Sequence, residues 1–139
     1  MQVRTQSHAT YLLMYNIVWI PKYRRKLLVN GVDEYCEKVI RSFVQDEYPD
    51  MWIEELSVQS DHIHLVMTIP PKYAVSTVIG RMKQHASKML RIQFEYLGRY
   101  RDGMWSIGYF VSSVGLNEDM IKRYVKHQNE QDKGQAVSL

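Results

Sequence analysis

The chain is poor in cysteine. Cys36 is the only one in 139 residues, so an internal disulfide and a zinc site built from several thiolates are both excluded. No apolar run approaches the roughly 18 to 20 residues that span a bilayer, and no basic-then-apolar leader opens the chain. The expectation is a cytoplasmic protein without a membrane partner. Internal repeats, low-complexity tracts and linkers are absent as well, and 139 residues suffice for one core but not two. We therefore expect a single domain over residues 1–139. A hydrophobic content of 45% with 24% charged residues has the balance of a folded globular domain rather than a disordered one.

The formal charge of +3 is unevenly distributed. Residues 72–126 carry ten Lys and Arg against four Asp and Glu, whereas the remainder carries eight against eleven. A polyanion would be drawn to the second half, through phosphate contacts and counterion release. Charge alone does not establish this, because lysines scattered on a helix also serve as a solvated face.

Residues 11–20 (YLLMYNIVWI) are dense in aromatic and branched side chains and stop at Pro21, which predicts a buried central strand. The Asn30-Gly31 turn signal precedes a helix to about Glu47, with Val32, Cys36, Val39, Ile40 and Phe43 on one side. Residues 51–59 and 62–69 read as two strands of a hairpin turning at Ser60 and Asp61, and residues 74–94 as a long second helix. A fourth strand is predicted over 104–114 despite Gly108, followed by a break at Gly115 and a last helix from about Glu118 to Asn129 with Asn117 as its cap. The polar stretch 131–139 is expected to be a flexible tail. This order is that of an α+β, ferredoxin-like (RRM-like) antiparallel sheet sandwich with one appended C-terminal helix.

Within that frame, strand alternation sends His62 and His64 to one face and Ile63 to the other. Side-by-side imidazoles suit a metal ion, although two histidines so spaced also occur as hydrogen-bonded surface residues. Asp61 before them could add an oxygen ligand or simply make the turn. On the last helix, Tyr124 and Gln128 are one turn apart and share a face. From helical spacing alone, Tyr124 reads as a core aromatic and Gln128 as a solvated helix residue. A Gln on a half-apolar face needs a polar partner if it is buried, and a metal ion is one such partner.

Residues 14–28 (MYNIVWIPKYRRKLL), 59–71 (QSDHIHLVMTIPP), 104–115 (MWSIGYFVSSVG) and 121–128 (IKRYVKHQ) together resemble successive motifs of the single-tyrosine transposases of the insertion-sequence 200/605 family. These are HUH nucleases, named for a histidine-hydrophobe-histidine triplet. The resemblance spans about residues 8–130. One departure is Asn16, where members often carry His, and the tail is short.

The resemblance implies a DNA-cleaving and rejoining enzyme acting on single-stranded DNA at hairpin ends of a mobile element. Tyr124 would be the nucleophile, forming a 5′-phosphotyrosine link, and His62, His64 and Gln128 would hold Mg²⁺ or Mn²⁺. It further implies a homodimer in which the tyrosine helix of one subunit completes the histidine site of the other, with Gly115 as a hinge. Sequence names no general base for Tyr124; Lys122, Arg123 and Lys126 are near it in the chain. Lys83, Lys88, Arg91 and Lys122 are the candidate DNA contacts in the basic half. Two alternatives stay open at this level: a domesticated or replication-type nickase with the same chemistry, and a non-catalytic module that binds single strands by stacking bases on exposed sheet aromatics.

Overall fold

A computed structural model describes residues 4–6, 9–11, 14–100, 103–114 and 118–138, with the side chains of 4–6, 9–11, 118–123 and 135–138 outside the description. Two short strands, β1 (Arg4–Gln6) and β2 (Ala9–Tyr11), pair antiparallel as a small separate sheet. The main sheet has four antiparallel strands: β3 (Met14–Trp19), β4 (Trp52–Gln59), β5 (His62–Thr68) and β6 (Phe110–Ser113), in the spatial order β4-β5-β3-β6. Helix α1 (Val32–Glu47) joins β3 to β4, and α2 (Val75–Gln93) joins β5 to β6. Each crossover thus skips one strand, which is the split βαβ arrangement of a ferredoxin-like sandwich. Helix α3 (Glu118–Ser138) follows. No helix among the described residues is long and apolar enough to cross a membrane.

Alternation along the strands builds two separate apolar clusters. On one face Ile17, Trp19, Ile63, Leu65 and Met67 pack with Cys36, Val39 and Ile40 of α1 and Val78, Ile79, Met82 and Leu90 of α2. Cys36 lies within this core, where burial and then the charges of Asp33 and Glu37 push its thiol up to about 12, so the cysteine is an inert packing residue. On the opposite face Val18 and Ile20 meet Val125 of α3, with Phe110 and Tyr124 beside them. The sheet is therefore covered by α1 and α2 on one side and by α3 on the other.

The β4-β5 hairpin pairs Gln59 with His62 and turns at Ser60 and Asp61, as the sequence predicts. Gly31 adopts φ +94° at the entrance to α1, a left-handed conformation open to glycine, and Asp33 and Glu34 in the first turn favour the positive end of the helix.

Three expectations are corrected. The apolar run 11–20 is not one strand: Tyr11 belongs to β2, and the central strand starts at Met14. Local apolarity marks strand character but not the point where a chain changes its pairing partner.

The fourth strand is shorter than 104–114. Gly103 and Gly108 are both left-handed, at φ +108° and +92°, and only Phe110–Ser113 joins the ladder. The intervening stretch is held instead by Lys22 N–H donating to Met104 O (2.8 Å), Ser106 N–H donating to Ile20 O (2.9 Å) and Trp105 Nε1 donating to Lys83 O (2.9 Å). Trp105 also meets Trp19 edge to face, with centroids 6.0 Å apart.

The tail expected from residue 131 is helical to Ser138, and Asp132 within it is fully buried. A polar sequence carries no amphipathic signal, so a helix anchored by one carboxylate cannot be read from hydrophobic periodicity. Gly115 and Asn117, assigned to a hinge and a helix cap, lie outside the described residues.

Lys83 fixes this irregular stretch from beneath. Its ammonium donates to Ser106 O (3.0 Å) and Gly108 O (2.6 Å). Burial lowers its pKa from 10.5 to about 8, against the opposing pull of Asp132. Between those values the unfolded chain holds a proton that the folded chain has released, so this group's contribution to stability rises with pH from about 8 to 10.5. In thermal melts across that range, the melting temperature of the wild type should gain on that of Lys83→Met. A constant difference would mean that the ammonium is solvated.

Candidate active site

The alternation that drives Ile63 and Leu65 into the helix-covered core places His62 and His64 on the other face, the one α3 covers. Val18 lies opposite His64 on one side and opposite Phe110 on the other. Three adjacent strands therefore present His64, Val18 and Phe110 in one row, and the Tyr124 ring rests on Phe110 with centroids 5.4 Å apart.

Both imidazoles are oriented by neighbours. His62 Nδ1 is 2.9 Å from Asp61 Oδ1, and Arg24 Nε donates to the other carboxylate oxygen at 2.9 Å. Partial burial acts to raise the Asp61 carboxyl, but the hydrogen bond with His62 and the charge of Arg24 outweigh it, and the group is held below its usual range. A carboxylate only accepts, so Nδ1 of His62 carries a proton and Nε2 is the ring nitrogen directed away from Asp61. Asp61 thus serves as the orienting partner of His62. His64 Nε2 is 3.3 Å from Asn16 Oδ1, while Asn16 Nδ2 donates to Ser113 O at 3.5 Å. In this arrangement Nε2 of His64 carries the proton, so ligation through that nitrogen requires the Asn16 contact to open. Asn16 is itself buried on the same sheet face.

On α3 the candidate stripe is longer than the two residues the sequence suggested. Tyr124, Gln128 and Asp132 succeed one another at intervals of four, hence along one side of the helix. The Tyr124 hydroxyl is buried with no hydrogen-bond partner among the described residues. Burial first, and the charge of Asp132 second, push its pKa above the ordinary value of 10. Tyr124 therefore rests as a neutral phenol. Lys126 is exposed, and the side chains of Lys122 and Arg123 lie outside the description.

Gln128 is buried, its Nε2 donating to Asp132 Oδ1 at 3.5 Å. Its Oε1 faces Gly108, where an added Cβ would lie 3.8 Å away. Asp132 also accepts from Tyr23 N–H at 3.1 Å and from the Ser106 hydroxyl. Sequence reasoning missed Asp132, Ser106 and Tyr23, and noted Asn16 without giving it a contact to His64. The spacing of 124, 128 and 132 was the one available signal, and a polar residue in a polar tail does not stand out.

Of the four candidate DNA contacts, Lys88 is exposed on α2, Arg91 donates from Nε to Ser87 O at 3.2 Å, and Lys83 is bound to the two loop carbonyls. The Lys122 side chain is outside the description. No group of three or more His, Cys, Asp and Glu side chains arranged to hold a metal is found among the described residues. Two imidazoles with one neutral amide oxygen form a donor set that suits a divalent ion, and Gln128 offers the oxygen.

Comparison with known proteins places the chain by sequence and by fold. The transposases for insertion sequence element IS200 of Salmonella typhimurium and Salmonella typhi are each 36% identical over 139 residues, covering 98% of this chain and 90% of theirs. A putative transposase from Deinococcus radiodurans R1 superposes with a TM-score of 0.82 at 21% identity, over 90% of this chain and 97% of that one. A REP-associated tyrosine transposase bound to a REP hairpin superposes with a TM-score of 0.54 at 14% identity, over 86% and 68% of the two chains. At those identities the two structures speak to the fold alone. Residues 9–128 match the family described as "Transposase IS200 like", and with that match and the 36% identity over nearly its whole length the chain belongs to the IS200-like transposases, enzymes that cleave and rejoin DNA.

Proposed function

We propose that the chain acts on single-stranded DNA at hairpin ends of an insertion sequence, with Tyr124 as nucleophile and His62, His64 and Gln128 as ligands of a divalent ion, Mg²⁺ or Mn²⁺. The observation that carries this reading is the placement of both histidines on the sheet face that the Tyr124 helix covers. When bound, the ion would polarise the scissile phosphate and take up charge on its non-bridging oxygens.

Tyr124 Oη would form a bond to phosphorus as the bond from phosphorus to the 3′ oxygen breaks. The phenol proton is released and the 3′ oxygen leaves as a hydroxyl. The phosphodiester energy is conserved in the tyrosine link, so attack by a 3′-hydroxyl reverses the step without ATP. Burial keeps Tyr124 neutral until substrate arrives, and the Phe110 ring limits where the phenol can turn.

The backbone path of the DNA is proposed to run over the turn at residues 22–26. Arg24 adjoins His62 through Asp61, and Arg25 lies between the rings of Tyr23 and Tyr100, 4.7 Å from each centroid. Helix α2 packs on the opposite sheet face from the histidines, which leaves Lys88 and Arg91 a long-range electrostatic role. A binding module that stacks bases on open sheet aromatics is less well supported, because Phe110 is already covered by Tyr124.

We also propose a homodimer that exchanges α3, because its recorded anchors, Tyr124, Val125 and Asp132 against β3 and the 22–24 turn, would form equally on a second copy.

Tyr124→Phe should retain the fold and divalent-ion binding while forming no covalent adduct with single-stranded oligonucleotides on denaturing gels. An adduct formed by this variant would remove Tyr124 from its role. Replacing Arg24, Arg25 and Lys26 together should flatten the dependence of log Kd on log salt by about 1.4 to 2.1, the value for two to three lost single-strand phosphate contacts. Lys88→Ala with Arg91→Ala should change the slope by less than half of that. Mixing Tyr124→Phe with His64→Ala should restore cleavage through one intact composite site per mixed dimer. Continued inactivity despite demonstrated subunit exchange would assign each tyrosine to its own chain.

A further inference from the structure

Asp132 is fully buried, acidic and unused by the chemistry described above. It accepts three hydrogen bonds from three elements: Tyr23 N–H in the turn after β3, the Ser106 hydroxyl in the stretch before β6, and Gln128 Nε2 on its own helix. The first two anchor α3. The third has a different consequence, because an amide side chain has two chemically distinct ends and its neighbours decide which way it faces.

A carboxylate offers no proton, so only the NH₂ end of Gln128 can face Asp132 Oδ1. The carbonyl end must then face away, and Oε1 points toward Gly108. A divalent cation binds an amide through oxygen and is repelled by the NH₂ end, so the orientation that Asp132 enforces leaves the ligating end of the amide turned away from the carboxylate. Asparagine in place of Asp132 would lose that discrimination, since its own amide pairs with Gln128 in either orientation.

We propose that Asp132 is a positioning residue for the metal centre: by accepting from Gln128 Nε2 it holds the amide with Oε1 presented as a ligand before the ion arrives. This rests on the reading of Gln128 as a metal ligand. The role is that of the outer-shell carboxylates that orient metal-bound histidines, transferred to an amide, and such partners affect metal affinity by about 10- to 100-fold.

The test uses the full chain freed of metal, with Mn²⁺ alone as the probe, followed by electron paramagnetic resonance, and thermal melts in parallel. Asp132→Asn should weaken Mn²⁺ binding by about tenfold or more. Ser106→Ala removes one donor to Asp132 without touching the amide, so it should lower the melting temperature while leaving Mn²⁺ affinity within about twofold. The pair Gln128→Glu with Asp132→Asn reverses the donor and acceptor of the contact and supplies a carboxylate oxygen. It should bring Mn²⁺ affinity back to the wild-type level or above.

Should Asp132→Asn fail to fold, the side-chain NH₂ of Gln128 in wild-type protein still decides the matter by NMR. One of its protons should be protected from solvent exchange in the absence of metal, and exchange as fast as in an exposed glutamine overturns the proposal. Unchanged Mn²⁺ affinity in a folded Asp132→Asn overturns it too, as does a parallel loss in Ser106→Ala, which would reduce Asp132 to a docking role. His64→Ala and Gln128→Ala separate the two readings. If both bind Mn²⁺ like the wild type, the metal-ligand assignment fails; if both weaken it while Asp132→Asn does not, only the positioning role fails.

Discussion

The two-residue period of β5 constrains everything else in this molecule. Ile63, Leu65 and Met67 face the core under α1 and α2, and the strand can be paired in no other register without exposing them. His62 and His64 must then project from the opposite face. That face is not free to be covered by another apolar layer, since a second core there would bury both imidazoles. It is covered in part, by one helix that brings a tyrosine, a valine, a glutamine and an aspartate.

The attachment of that helix differs in kind from the attachment of the other two. Helices α1 and α2 are held by a broad apolar contact, which is non-directional and tolerates small adjustments. Among the described residues, the apolar contact of α3 is that of Val125 and Tyr124 against Val18, Ile20 and Phe110, and its directional component is the carboxylate of Asp132. Buried charge anchors well only when its partners are all in place, and loses heavily when one is missing. Among the described residues, the docking of this helix therefore depends on one buried carboxylate finding all of its partners.

A connected set of polar groups links this anchor to the rest of the chain. Lys83 on α2 binds the carbonyls of Ser106 and Gly108, the Ser106 hydroxyl binds Asp132, and Asp132 binds Tyr23 and Gln128. Gly108 stands at the junction with φ +92°, where the lack of a Cβ leaves room beside Gln128 Oε1. The irregular stretch before β6 is therefore not a defect in a strand. It is the part of the sheet edge that receives the helix.

How much of this could be read from the amino-acid sequence follows the range of the forces involved. The histidine pair, the Ser60-Asp61 turn, the two long helices and the pairing of Tyr124 with Gln128 were legible, because alternation, helical spacing and turn chemistry are local. Why residues 104–108 leave the ladder, and how Lys83 comes to bind carbonyls of that stretch, were settled by contacts 20 to more than 80 residues apart in the chain. Asp132 is the clearest case: in sequence it is one more polar residue in a polar tail, and only the convergence of Tyr23 and Ser106 gives it a function. Sequence alone determined which residues are candidates for the chemistry and, for the histidines, which side of the strand they occupy, because side-chain parity is set by the backbone. Tertiary structure decided which of them meet and which end of an amide is turned outward, because a buried hydrogen bond is specified by partners that only folding brings within reach.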